Sequence, residues 1–449
     1  MSKRMMTCGL QMQAGDFDKK DAGAVFDHIQ ESIPLDAASV FAGKNIRREA
    51  GHQGGSRFHH PQVGLDEQGR DVLDRMLEAG ASRGVRVIMG IGEESWGYQE
   101  QYPGYTTIGM VDQYGRIHRQ SCVNHPAWRD FQVASMEDTV RLHPELDSYM
   151  FMHERSGPLA GLFGGAGAGF GVDGGKAYCF CEHCCRKGRE RGIDPQRARE
   201  GGRQLAKLVE AAQAGAPRPT DGWFINVWRV LMRYPDMLAW DQLWWDSLHD
   251  YRANLVGAIK AVRPEAEVGF HFQHATLMSH WLWRAGDDPA RVTEYADWIK
   301  PSVYPGASGG RAGNQLRRMH TILFKDMPIS VAREFTAWIC GHDPATLPDY
   351  SDPDRGQCAF GADWVQREID RLATACAPRP VYAGLGIGIP GGDRADTVEL
   401  IRDCTEACYA GGAKGVLLSR HFSEMRPELL AAAGEVIRRH VGQGEAVTG

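Results

Sequence analysis

No stretch of this sequence approaches the ~20 consecutive apolar residues that a membrane helix needs, so no membrane association is expected. There is no basic excess either. Lys plus Arg total 51 against 57 Asp plus Glu, a formal net charge of -6, which argues against a dedicated nucleic-acid binder. The start, MSKRMMTCGLQMQAG, is basic but lacks the apolar core of a secretory signal, and a cytoplasmic location is the expectation. No Pro-rich or Ser-rich linker divides the chain, and no solenoid-type repeat runs through it. Eleven cysteines in 449 residues are too sparse for a disulfide scaffold.

What the sequence does have is a rhythm. Eight short apolar runs, at about 5–12, 37–43, 85–92, 146–153, 266–272, 296–304, 380–389 and 413–419, read as strands. Amphipathic stretches separate most of them, such as Val72, Leu73, Met76 and Leu77, or Trp240 through Leu243, Leu248, Leu255 and Ile259. Strand and helix alternating eight times predict an α/β fold, a (β/α)8 TIM barrel. The long insertions follow strands and so belong on the C-terminal face, where barrel enzymes keep their sites. One domain over 1–449 is expected, with a Gly/Cys-rich insertion at about 155–236 and a loop insertion at about 305–379. The segment GLFGGAGAGFGVDGG at 161–175 contains Gly169-x-Gly171-x-x-Gly174, yet it opens no helix after a strand, so it reads as a loop and not a dinucleotide site.

Cys179, Cys181 and Cys184 form C-x-C-x-x-C, a spacing at which thiolates converge on one ion. Cys122, in the loop after the third run, is the expected fourth ligand; Cys185 is poorly placed beside Cys184. A closed four-cysteine site predicts a structural zinc that anchors two loops, with no position open for catalysis. No organic cofactor is expected.

The segment Cys122-Val123-Asn124-His125-Pro126-Ala127-Trp128-Arg129, followed by Glu154 and the C-x-C-x-x-C cluster, resembles glycoside hydrolase family 42, the β-galactosidases with a four-cysteine zinc cluster. The similarity covers roughly 85–190; beyond it the barrel plan is shared. HERSGP at 153–158, His271-Phe272-Gln273-His274 and Ser419-Arg420-His421-Phe422-Ser423-Glu424-Met425 look like features of an uncharacterised set of barrel proteins related to these hydrolases. The resemblance implies a carbohydrate substrate, glycosidic-bond cleavage, and Glu154 as the acid/base glutamate. His153 stands where those hydrolases have asparagine. Relatives of that family are often trimeric, so a homo-oligomer is in view.

A glycosidase needs a second carboxylate. The resemblance puts it at the end of the seventh strand, but Val381 to Pro390 contains no acid. Asp393 and Glu424 are the candidates, with Glu93 and Glu94 behind them; Asp393 equally suits the N-cap of a helix at 394–408. His153, Arg155, His271, His274, Tyr304, Arg311 and Arg420 are expected to bind substrate. Two alternatives stand beside hydrolysis. Gly386-x-Gly388-x-x-Gly391 with Ser419 and Arg420 suits a phosphate site, hence a sugar or sugar-phosphate isomerase or lyase. A barrel without a nucleophile could also bind carbohydrate and not cleave it.

Overall fold

A computed structural model describes residues 6–17, 21–41, 72–92, 107–152, 154–163, 176–273, 280–351, 358–390 and 395–448. Ten strands are described: β1 (Cys8–Gln13), β2 (Ala37–Phe41), β3 (Arg86–Gly92), β4 (Gly109–Val111), β5 (Ile117–Ser121), β6 (Ser148–Met152), β7 (Glu267–Phe272), β8 (Trp298–Val303), β9 (Tyr382–Leu385) and β10 (Gly415–Leu418). Eight of them close into a parallel barrel in the order β1-β2-β3-β6-β7-β8-β9-β10, and β10 returns to β1 with Cys8 opposite Val416. Each of the eight apolar runs in the sequence supplies one barrel strand. The short antiparallel pair β4–β5 was not expected; it is only three and five residues long, and Ile117 is exposed.

Barrel strands are covered on both faces, which is why they read as continuous apolar runs. Outward residues such as Cys8, Leu10, Val268 and Val416 pack against the helix ring. Inward residues form a separate apolar floor at the N-terminal end: Met6, Ala37, Ile88, Met150, Trp298, Tyr382 and Leu417. Side chains alternate along a strand, so the next inward positions up are Ser39, Met152, Lys300, Gly384 and Ser419. Above an apolar floor, the barrel interior turns polar toward its C-terminal end.

The insertions are largely helical. Helices Glu182–Glu190, Pro195–Gln213 and Trp223–Arg233 lie between β6 and the long helix Asp236–Val262. Trp240, Trp244 and Trp245 of that long helix are buried, in keeping with their i, i+4 spacing. Residues 305–320, expected as a Gly-rich loop holding Arg311, form the helix Pro305–His320. Its glycines allow close packing: a Cβ on Gly309 would collide with the Cys358 backbone, and one on Gly313 with the Tyr350 carbonyl. Burial against those segments offsets the ~1 kcal/mol each glycine costs a helix. The helix after β9 runs Val398–Ala410 and is capped by Thr397, whose hydroxyl accepts from Leu400 N at 3.1 Å. The cap is therefore not Asp393, which lies outside the described residues.

A buried ionic cluster ties the helix before β9 to the segment after β7. Glu368, 1% exposed, accepts from Arg284 at 3.0 Å and from Arg371 at 2.9 Å, with His342 Nε2 at 2.8 Å. Burial alone would raise this carboxyl; Arg371, His342 and Arg284 outweigh it and hold it at about 2, below its ordinary 4.5. A depressed carboxyl stabilises the fold above its unfolded pKa and loses that contribution as pH falls through its folded one. The lowered pKa corresponds to about 3 kcal/mol, lost between pH 4.5 and 2. Acid titration of denaturant stability should therefore show a shallower loss across that window in Glu368→Gln than in the wild type, starting from a lower plateau.

Candidate active site and cysteine cluster

Glu154 stands two residues past the end of β6, at the barrel mouth, with a side chain 16% exposed. The loop that carries it is pinned at two points. Arg155 is buried and donates to the Ser121 carbonyl at 2.5 Å and the Ser121 hydroxyl at 3.1 Å. Leu159 N donates to Asp241 Oδ1 at 2.8 Å, while Trp245 Nε1 donates to Asp241 Oδ2 at 3.2 Å. Burial pushes the Asp241 carboxyl up to about 6. Arg155, expected to bind substrate, is instead a fastener between this loop and β5.

Beneath Glu154 runs a column of hydrogen-bonded side chains. Glu154 Oε1 is 2.9 Å from His271 Nε2. His271 Nδ1 is 3.2 Å from Lys300 Nζ and 3.1 Å from Ser302 Oγ. Lys300 Nζ also donates to Gln11 Oε1 at 2.9 Å, and that oxygen accepts from Ser419 Oγ at 3.4 Å. Gln11, His271, Lys300, Ser302 and Ser419 are all buried. Burial, then the Lys300 charge, lowers His271 to about 4 despite Glu154, so its ring is neutral at neutral pH. Burial brings Lys300 down to about 7, with Glu154 pulling the other way. Gly384 makes room for this lysine; a Cβ there would collide with its stem and lie 2.6 Å from the Pro301 carbonyl.

Tyr304 continues the inward row above Ser302. Its hydroxyl bonds Ser302 and Ser419, and burial raises its pKa. The Arg311 guanidinium lies 5.4 Å from the centre of the Tyr304 ring. Burial lowers Arg311, against the pull of Tyr304, Glu154 and Glu424. Arg420 grips Glu424 with two hydrogen bonds, at 3.1 and 2.9 Å, and also feels Tyr304 and Glu154. The structure thus gathers Glu154, His271, Tyr304, Arg311, Arg420 and Glu424 into one electrostatic neighbourhood. His153, His274, Asp393, Glu93 and Glu94 lie outside the described residues. Gln11, Lys300 and Ser302 were missed in the sequence.

One expectation changes here, that of a phosphate loop after the seventh strand. The seventh barrel strand ends at Leu385, no residue through Pro390 is an acid, and Gly386 follows the strand directly. A Cβ there would fall 2.5 Å from Tyr304 Cδ1, so the tyrosine ring fills that space. The proposed phosphate loop has its amides spent: Gly386 N on Val303 O, Ile387 N on Ser419 O, and Gly388 N on Asp396 Oδ2 at 2.7 Å. None of those three donors remains to cradle an anion.

No family model matches the chain, and no curated protein matches it. Solved structures do match. A β-galactosidase from the Antarctic haloarchaeon Halorubrum lacusprofundi has 14% identity and a TM-score of 0.56, over 97% of this chain and 58% of its own. One from the psychrophilic Marinomonas ef1 has 12% identity and a TM-score of 0.58, over 99% and 60%. A family 42 β-galactosidase from G. stearothermophilus has 13% identity and a TM-score of 0.55, over 97% and 57%. The chain shares their barrel fold. It spans about three fifths of the length of these enzymes, and at such identity the likeness is one of fold.

Beside this barrel mouth sits the cysteine cluster. The sulfurs of Cys122, Cys179, Cys181 and Cys184 all lie within 4.8 Å of one another, with Cys122 3.5 Å from Cys181 and 3.4 Å from Cys184. Four thiolates around one zinc at ~2.3 Å stand about 3.8 Å apart, so the set fits a tetrahedral ion. Amides face the sulfurs as in metal sites: Val111 N to Cys179 at 3.3 Å, Asn124 N to Cys122 at 3.4 Å, and Asn124 Nδ2 to Cys184 at 3.3 Å. Cys185 turns away to the Phe180 carbonyl. The cluster joins the end of β5 to the start of helix Glu182–Glu190. Through Ser121 and Arg155 it also abuts the Glu154 loop.

Proposed function

We propose that this protein is a glycoside hydrolase-like enzyme that cleaves a glycosidic bond in a carbohydrate, with Glu154 as general acid/base. The supporting observation is the Glu154 carboxyl at the mouth of a glycosidase-type barrel, hydrogen-bonded to His271 and faced by Tyr304, Arg311 and Arg420. A carboxylic acid there can protonate a leaving oxygen, and its carboxylate can activate a nucleophile. Tyr304, Arg311, Arg420, His153 and His274 are assigned to sugar hydroxyls. Glu424, oriented by Arg420, is assigned the second carboxylate role, with Asp393 as the alternative. The occupied amides of the Gly386–Gly388 loop disfavour the sugar-phosphate reading. The whole chain is taken as one domain. None of the eleven cysteines is in a disulfide, which suits the cytoplasm.

An acid role has a distinctive signature. Glu154→Gln should lower kcat by about 10²–10⁴-fold on glycosides with poor leaving groups. On dinitrophenyl glycosides, whose leaving group needs no proton, the loss should be far smaller. Equal loss on both would remove the acid role; glycan binding by a wild type without turnover on any glycoside would favour the binding barrel.

Cys122, Cys179, Cys181 and Cys184 are proposed to hold one structural zinc. Elemental analysis should find about one zinc per chain, absent in Cys184→Ser, together with a lower melting temperature. Metal-free wild type of equal stability would contradict the assignment.

Self-association is proposed through a second copy of this chain. Ile225, Trp228 and Met232 on one helix and Val331, Phe335 and Trp338 on another are exposed, Met232 by 79% and Trp338 by 61%. Rings link the two helices: Trp228 to Phe224 at 6.4 Å, Phe224 to Phe324 at 6.5 Å, and Phe324 to Phe335 at 5.6 Å. Together these six side chains expose roughly 700 Å² of mainly apolar surface, near the ~800 Å² per partner of a standard interface. Light scattering should show a dimer that Trp338→Glu with Met232→Glu makes monomeric; a monomeric wild type at tens of micromolar refutes the pairing.

A further inference from the structure

We infer that Lys300 and His271 are positioning residues that set the protonation state of Glu154, forming a relay from the barrel core to the mouth. This inference rests on the proposed acid/base role of Glu154. The geometry is a continuous line: Lys300 Nζ to His271 Nδ1 at 3.2 Å, then His271 Nε2 to Glu154 Oε1 at 2.9 Å. An imidazole has one proton to share when neutral. If Nε2 donates to the Glu154 carboxylate, Nδ1 must accept, and the ammonium of Lys300 is a donor in reach. The lysine therefore selects the tautomer.

The surroundings of Glu154 make such a device useful. Lys300, Arg311 and Arg420 all interact electrostatically with this carboxylate, and positive charges favour its ionised form. An ionised glutamate is a base, and a proton must reach it before it can act as an acid. In the relay, Lys300 gives a proton to His271 Nδ1 as His271 Nε2–H gives its own to Glu154. The ammonium becomes an amine, the carboxylate becomes a carboxylic acid, and the ring stays neutral with its proton moved from Nε2 to Nδ1. No outside reactant is needed, and the reverse transfer resets the base.

Burial supports each state. An imidazolium at His271 is disfavoured, so the two hops are concerted, and an uncharged Lys300 is accessible near neutral pH. The titratable and charged groups facing the lysine are His271 from β7, Glu154 from the β6 loop and Tyr304, whose ring centre is 6.0 Å from Nζ. Arg311, Arg420 and Glu424 lie behind them. Gln11, Ser302 and Ser419 are the neutral members of the column, and Ser302 Oγ, 3.1 Å from Nδ1 and 3.2 Å from Nε2, is the competing partner of the ring.

The test needs no substrate. Nitrogen-15 NMR of the full chain, labelled at histidine, should show His271 as the Nε2–H tautomer. Its Nδ1 resonance should shift with a midpoint near pH 7 as Lys300 titrates. Lys300→Met, close in size and apolar, should abolish that midpoint; Ser302→Ala should keep it. The wild-type titration stands even where a variant does not fold. On any glycoside turned over, Lys300→Met and Lys300→Arg should lower kcat by about 10²-fold with KM within twofold, and erase the limb of the pH profile near 7. A His271 Nδ1 signal that ignores pH between 6 and 8, or is unchanged in Lys300→Met, overturns the relay. An intact NMR signature in a protein without glycosidase activity overturns the glycosidase reading and leaves the coupling in place.

Discussion

A lysine amine enclosed in a closed barrel must be hydrogen-bonded or uncharged, and much of this molecule's interior follows from meeting that demand. Leaving a buried cation unpaired costs several kcal/mol. Gln11 from β1 and His271 from β7 reach it from other strands of the barrel. Gly384 gives up a side chain so that the lysine stem can pass. Ser302, Ser419 and Tyr304 extend the same network upward. The apolar floor below keeps the column from opening at the N-terminal end, so its outlet is the mouth, where Glu154 stands.

The strand plan was legible because barrel strands are apolar on both faces, and the flanking helices show their period openly. The run at 380–389 overestimated β9, which ends at Leu385, because Gly386, Ile387 and Ile389 remain buried after they leave the ladder. The cysteine cluster was legible in full, including Cys122 from a distant loop, because its chemistry is local and its residue type rare. The polar column was not. A single lysine in WIKPSVY looks like a solvated charge. The signal that could have exposed it is context: Trp298, Ile299, Pro301 and Val303 leave no solvent face on that strand. Gly384 on the neighbouring strand marks a close approach.

Arg155 shows why a charge beside a candidate carboxylate is ambiguous in sequence. Its position suggested a ligand to substrate. Folded, it is buried and clamps β5, whose last residue adjoins Cys122. The cysteine cluster and the Glu154 loop are thereby parts of one mechanical unit. An ion held by the four sulfurs would also fix Ser121, and with it the anchor of the loop that carries Glu154. A closed coordination shell would still bear on where Glu154 stands.

The glycine at the seventh strand is best understood from the same interior. A carboxylate at position 386 would require space and cationic partners. Here the space holds the Tyr304 ring, and the cations are engaged elsewhere: Lys300 on His271 and Gln11, Arg420 on Glu424. A carboxylate placed at position 386 would have to displace Tyr304, whose hydroxyl is tied to Ser302 and Ser419 in the network around Lys300. The Tyr304 ring and any side chain at position 386 compete for one volume. Among the described residues, Glu424 is a loop carboxylate in the same electrostatic neighbourhood as Glu154: it follows β10, is bonded to Arg420, and acts on the same Arg311 that feels Glu154.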